Sequence, residues 1–145
     1  MALVVIATPN HTHVQFTKMA LGAGKHVAVE KPFALTLEQA RELASLARRT
    51  RLVLAAFQNR RWDGDFLAVT ALLGRSVLGD VSHFESHFDR YRPTVRDRWR
   101  ERAGPGTGLW YDLGPHLVDQ ALQLFGLPDR VTAMLAAQRA GAPIR

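Results

Sequence analysis

Three short apolar runs, separated by segments of helical period, leave the first part of this chain few ways to fold. Leu3-Val4-Val5-Ile6-Ala7, Val27-Ala28-Val29 and Leu52-Val53-Leu54-Ala55-Ala56-Phe57 are apolar on both faces, the pattern of strands inside a parallel sheet. Each is cut off sharply. Pro9 ends the first, and Pro32 ends the second, because it has no N–H to continue a ladder and pushes Lys31 out of the helical region. Gln58-Asn59-Arg60-Arg61 ends the third. Between them, Asn10 or Thr12 can cap a helix through Ala23, which Gly22 and Gly24 close. Thr36 and Gln39 form a capping-box pattern, followed by Leu37, Ala40, Leu43, Ala44 and Ala47 on one helical face and Arg48, Arg49 and Arg51 at the negative end of the dipole. The alternation predicts an α/β fold over residues 1–59, one half of a doubly wound parallel sheet. Its strand-end loops, Thr8 to His13, Glu30-Lys31-Pro32 and Gln58 to Arg60, are expected on the rim where such sheets bind ligands.

Beyond Arg61 the grammar changes, and residues 60–145 are expected to form part of an α+β domain with an antiparallel sheet. Phe66, Val69, Leu72 and Leu73 make a helical stripe that stops near Gly74. Val81 to Tyr91 alternates, with Phe84 and Phe88 on one face and His83, Glu85, His87 and Asp89 on the other, as in a strand buried on one side. Arg92 to Pro105 reads as an exposed or mobile loop, and Val131 to Ala137 as a further strand after a helix that Leu127-Pro128 ends.

Composition narrows the function. At 145 residues and 47% hydrophobic, the chain can bury one core of moderate size or parts of two. Nineteen basic residues against thirteen acidic ones give a formal charge of +6, with a local arginine cluster at Arg90, Arg92, Arg96, Arg98, Arg100 and Arg102. Aromatic interleaving of the kind that stacks bases is not evident there, so a solvated surface is expected rather than a nucleic-acid partner. Cysteine is absent, which removes disulfides and thiolate metal sites. No apolar run approaches the roughly twenty residues of a bilayer span, so no membrane partner is expected and a cytoplasmic place is inferred by default.

Two stretches carry chemistry. Lys31, at the carboxyl end of a strand, can handle a proton or simply cap the strand in solvent. Asp112, His116, Asp119 and Gln123 fall in one helical stripe, where an acid one turn before a histidine can orient the imidazole. Asp112 also suits a helix N-cap with Pro115 in the first turn, and Asp119 equally suits an ion pair with Arg60 or Arg130. A metal site would draw on His11 and His13, or on His83, Glu85, His87 and Asp89; polar residues alternating on a solvated strand are the plainer account, and no metal is expected.

Val5 to His13, Glu30-Lys31-Pro32, and Gly108-Leu109-Trp110-Tyr111-Asp112-Leu113-Gly114-Pro115-His116-Leu117-Val118-Asp119-Gln120 resemble, in order and spacing, the glucose-fructose oxidoreductase / inositol dehydrogenase / MocA-like family. The resemblance implies a Rossmann domain followed by an α+β domain, and NAD- or NADP-linked oxidation or reduction of sugars, polyols and related compounds. Carried over, it implies that Lys31 hydrogen-bonds the reacting oxygen, that His116 is the general acid or base, and that Asp112 lies beside it. It further implies that Thr8, Pro9, Asn10 and His13 lie against the nicotinamide half of the cofactor, with Glu30, next to Lys31, beside its ribose. The family's glycine-rich turn is not among these residues, so the chain is expected to be truncated at both ends, with weak dinucleotide binding on its own. An inactive fragment or interaction module is the alternative. Open apolar sheet edges predict a homo-oligomer.

Overall fold

The structure, a computed structural model, describes residues 2–142. The chain divides into two units, one running to Gln58 and taking in Gly104–Gly106, the other comprising Asn59–Ala103 and the chain from Thr107 onward.

The first unit is α/β, as its alternation predicts. Strands β1 (Leu3–Ile6), β2 (His26–Glu30) and β3 (Leu54–Phe57) form a parallel sheet in the order β1-β2-β3. Leu3 pairs with His26 and Val27 with Leu54, so the carboxyl ends share one rim. Helices α1 (His13–Gly22) and α2 (Leu37–Thr50) join the strands. Among the described residues only β2 has a neighbour on each side, and its fully buried Val27 and Val29 share a core with Ile6, Ala20, Leu21 and Ala47. Fully burying an aliphatic side chain contributes about 1.5–3 kcal/mol, so β2 is the energetic centre of the unit.

The three apolar runs are not buried alike, as a half sheet with one edge and part of a face open requires. Leu3 and Val5 on β1 are 61% and 67% exposed, and Phe57 on β3 is 52% exposed. Ile6, Val27 and Val29 face one helical layer, while the alternate residues of β1 meet no such layer within the unit. The caps also differ. Thr36 and Gln39 make the expected capping box. Thr12 takes the N-cap position of α1 without a side-chain capping bond; its hydroxyl instead donates to Pro9 O at 2.7 Å, across a 3-10 turn at Asn10–Thr12.

Gly106 fits tightly into this unit. Its φ is +73°, and a Cβ there would lie 2.4 Å from Leu35 Cδ2 and 2.8 Å from Asn10 Nδ2. The position therefore demands glycine on both conformational and steric grounds.

The second unit holds helices α3 (Gly64–Gly74) and α4 (Leu109–Phe125) and a 3-10 turn at Trp99–Glu101. The expected antiparallel sheet is not formed among the described residues, because neither Val81–Tyr91 nor Val131–Ala137 has a ladder partner. The alternation survives without the ladder. Phe84 packs on Phe125 at 5.2 Å between centroids and Phe88 meets His116 edge-on at 6.5 Å, while His83, Glu85, His87 and Asp89 pair along the other side. Side-chain period alone thus reported which residues share a face; it does not supply the neighbouring backbone that makes a strand.

Helix α4 starts earlier than the sequence suggests. Gly108, at φ +92°, is its N-cap, which places Asp112 inside the first turn and Pro115 in the interior. Pro115 has no N–H to give the carbonyl of Tyr111. No helix among the described residues is long and apolar enough to cross a membrane.

Candidate functional site

In the first unit, the rim is organised by His13. Its side chain is 1% exposed, with Nδ1 2.9 Å from Pro32 O and Nε2 2.9 Å from Thr8 O. One ring therefore bridges the loop after β1 and the loop after β2. Asn10 is equally inward, its Nδ2 donating to Gly106 O. Thr8 and Pro9 are exposed, and the Thr8 and Thr12 hydroxyls meet at 2.6 Å. Glu30 and Lys31 are half-buried at the end of β2, where the Lys31 N–H donates to Glu30 Oε2 at 3.2 Å. Two buried carbonyl oxygens at the rim, Asn10 Oδ1 and Gln58 Oε1, have no hydrogen-bond partner among the described residues. Buried acceptors of this kind are costly unless a donor is supplied.

In the second unit, α4 carries the expected stripe. His116 is 5% exposed. Asp112 Oδ1 is 3.6 Å from Arg100 Nε. Asp119 makes a two-pronged pair with Arg61, at 2.7 and 2.6 Å, rather than with Arg60 or Arg130. That pair raises the Arg61 pKa further, chiefly through the hydrogen bond to Asp119. Arg60 is used elsewhere, holding Asp63 at 2.8 Å and lying 4.9 Å over the Phe88 ring. Gln120 donates to Arg60 O at 3.1 Å. Asp119 is thus a structural ion-pair partner that ties α4 to the chain entering the unit. Among the described residues, no three histidine or acidic side chains are placed to hold a metal ion.

Glu101 is the residue that sequence reasoning missed. The supposed loose loop is built on it: its carboxylate is 5% exposed and accepts from Arg96 N at 3.0 Å, Arg98 Nε at 2.7 Å and Arg139 Nη1 at 2.9 Å. The signal was a glutamate set among arginines at 96, 98, 100 and 102. The arginines are not wholly free of aromatic company either, since the Arg100 guanidinium lies 4.6 Å over the Trp99 ring.

The backbone N–H of Arg96, and then the guanidinium groups of Arg98 and Arg139, hold the Glu101 carboxyl down at about 2 from its ordinary 4.5. A depressed carboxyl stabilises the fold fully above its unfolded value and loses that contribution as pH falls through the folded one. Protection of the amides of residues 94–102, taken relative to the intrinsic exchange rate at each pH, is therefore expected to hold from neutrality down to about pH 4.5, and to fall progressively toward pH 2. Glu101→Gln should show the lowered protection at every pH. Protection that ignores both acid and the substitution would count against the assignment.

The family model for the oxidoreductase NAD-binding Rossmann fold, GFO/IDH/MocA, matches residues 1–58, and the GFO/IDH/MocA C-terminal domain model matches residues 66–144. The chain is 62% identical over 140 residues to the uncharacterized oxidoreductase YdgJ of Escherichia coli, covering 97% of this chain and 40% of that protein. It is 44% identical over 140 residues to the scyllo-inositol 2-dehydrogenase (NADP(+)) IolW of Bacillus subtilis, covering 97% and 39%. The solved structure of yvaA from Bacillus subtilis superposes with a TM-score of 0.95 at 42% identity, covering 99% of this chain and 41% of that one. The chain therefore spans about 40% of the length of the curated relatives it matches.

Proposed function

The chain belongs to the GFO/IDH/MocA oxidoreductase family, and from that footing we propose that it serves the NAD- or NADP-dependent oxidation or reduction of a sugar, a polyol or a related hydroxyl or carbonyl compound. The observation that carries this reading is the His13 bridge, which gathers the Thr8 and Pro32 loops onto one strand-end rim. Residues 1–59 are read as the dinucleotide-binding part and 60–145 as the substrate part.

The rim has the chemistry a nicotinamide riboside asks for. Pro9 offers exposed apolar surface, Glu30 offers a carboxylate to ribose hydroxyls, and Gln58 Oε1 is an acceptor without a donor among the described residues. In this reading Thr8, Pro9, Glu30 and Lys31 meet the cofactor, whereas Asn10 and His13, both inward, serve it through the loop shape they hold.

Oxidising a hydroxyl removes a hydride from carbon and a proton from oxygen, and a bound nicotinamide supplies the hydride acceptor. The remaining work is proton handling. Lys31 is assigned as the hydrogen-bond donor that holds the reacting oxygen and stabilises negative charge on it. His116 is assigned as the base that takes the proton in oxidation and returns it in reduction, its burial keeping competing water away. Asp112, one turn earlier on α4, biases the imidazole toward that role.

Titrating the protein with NADH and NADPH while following nicotinamide fluorescence tests the proposal. A saturable change with either nucleotide, lost in Lys31→Ala, is expected. A flat response to both would overturn it.

A further inference from the structure

The second unit contains a cavity of about 340 Å³, within the range of small-ligand sites, and of the side chains that line it the dehydrogenase reading uses only Asp112. It opens between Arg90–Pro93, the Trp99–Glu101 turn, the first turn of α4 and the chain around Arg139. Five guanidinium groups line it, from Arg90, Arg92, Arg98, Arg100 and Arg139, against two carboxylates, Glu101 and Asp112. The carboxylates are committed. Glu101 is taken up by Arg98 and Arg139 at 2.7 and 2.9 Å, and Asp112 faces Arg100 at 3.6 Å. Arg90 and Arg92 have no carboxylate partner among the described residues, and Arg92 is half-buried.

Crowding unneutralised cations into a partly enclosed space is unfavourable unless an anion joins them. A guanidinium presents a planar fork of donors that matches a phosphate or carboxylate two oxygens at a time. Glu101, by fixing Arg98 and Arg139, makes part of this lining rigid before any ligand arrives.

We propose that this cavity is an oxyanion site, and that Arg90 and Arg92 there hold a phosphate or carboxylate group carried by the substrate. The substrate is then an anionic sugar or polyol, a sugar phosphate or sugar acid. This last step rests on the dehydrogenase reading; the anion site itself does not.

Calorimetric titration of the protein with inorganic phosphate, glucose 6-phosphate, glucuronate, glucose and NADPH tests it, with NADH fluorescence measured alongside. At least one of glucose 6-phosphate and glucuronate is expected to bind and glucose not. Arg90→Gln/Arg92→Gln should weaken the anionic ligand about ten- to a hundredfold while leaving NADH binding intact. Neither arginine side chain has a hydrogen-bond or ion-pair partner among the described residues, so the fold is expected to tolerate the exchange. Equal binding of glucose and the anionic sugars, or affinity indifferent to the double substitution, would overturn the site. Competition by phosphate against NADPH, with both sugars silent, would overturn the substrate claim by assigning the arginines to the dinucleotide. NADH binding without anion binding would sink this inference and leave the dehydrogenase reading standing; saturable anion binding without NADH binding would do the reverse.

Discussion

His116→Ala is expected to slow turnover about 10²–10⁴-fold while changing nucleotide affinity little, because the imidazole is assigned to the proton and not to the cofactor. His116 is 5% exposed on the inner side of α4, so deleting it also removes packing against Phe88. Stability loss alone must therefore be separated from lost chemistry. Added imidazole does that: a small base entering the vacated space is expected to restore part of the rate if His116 moves the proton. A purely structural histidine would give a lower thermal midpoint and no rescue at any imidazole concentration. Asp112→Asn should reproduce a smaller part of the same loss, since its assigned role is exerted through the ring rather than on the substrate.

The parallel sheet was legible because its signals are local. Apolar runs at Leu3, Val27 and Leu52, a proline after the first two, and the Thr36–Gln39 box each fix a boundary without knowledge of the rest of the chain. What could not be read was which strand lies in the middle. An apolar run looks the same at an edge as at the centre, and only the pairing of β2 with both neighbours shows that Val5 is open where Val29 is closed.

Candidate side chains divide the same way. The period along α4 was legible, so Asp112 and His116 were found. The ion-pair partner of Asp119 was not, because Arg60, Arg61 and Arg130 differ by nothing in composition and only the fold brings Arg61 within 2.6 Å. Glu101 was hidden for a similar reason. Its partners include Arg139, thirty-eight positions away, and a charge-rich segment reads as solvated until a buried carboxylate is seen at its centre.

The second large effect falls on His13. His13→Ala is expected to destabilise the first unit by about 3 kcal/mol, more than any single contact on the exposed face of the sheet. The ring is fully enclosed and faces the carbonyls of Thr8 and Pro32 at 2.9 Å each. Alanine leaves a cavity and strips the ring N–H from at least one of the two buried carbonyls, so a packing loss adds to an unmet desolvation cost. Asparagine keeps a donor but is too short to reach both loops, and should recover only part of the loss. The damage should be uneven. Amide exchange should quicken first at residues 8–12 and 31–33, which the ring joins, while the β2 core around Val27 and Val29 opens only with global unfolding. Chemical denaturation with residue-resolved exchange measures both quantities. If His13→Ala unfolds at the same denaturant concentration as the parent and the two loops keep their protection, the bridge does not hold the rim, and the support it lends to a nucleotide site there is lost.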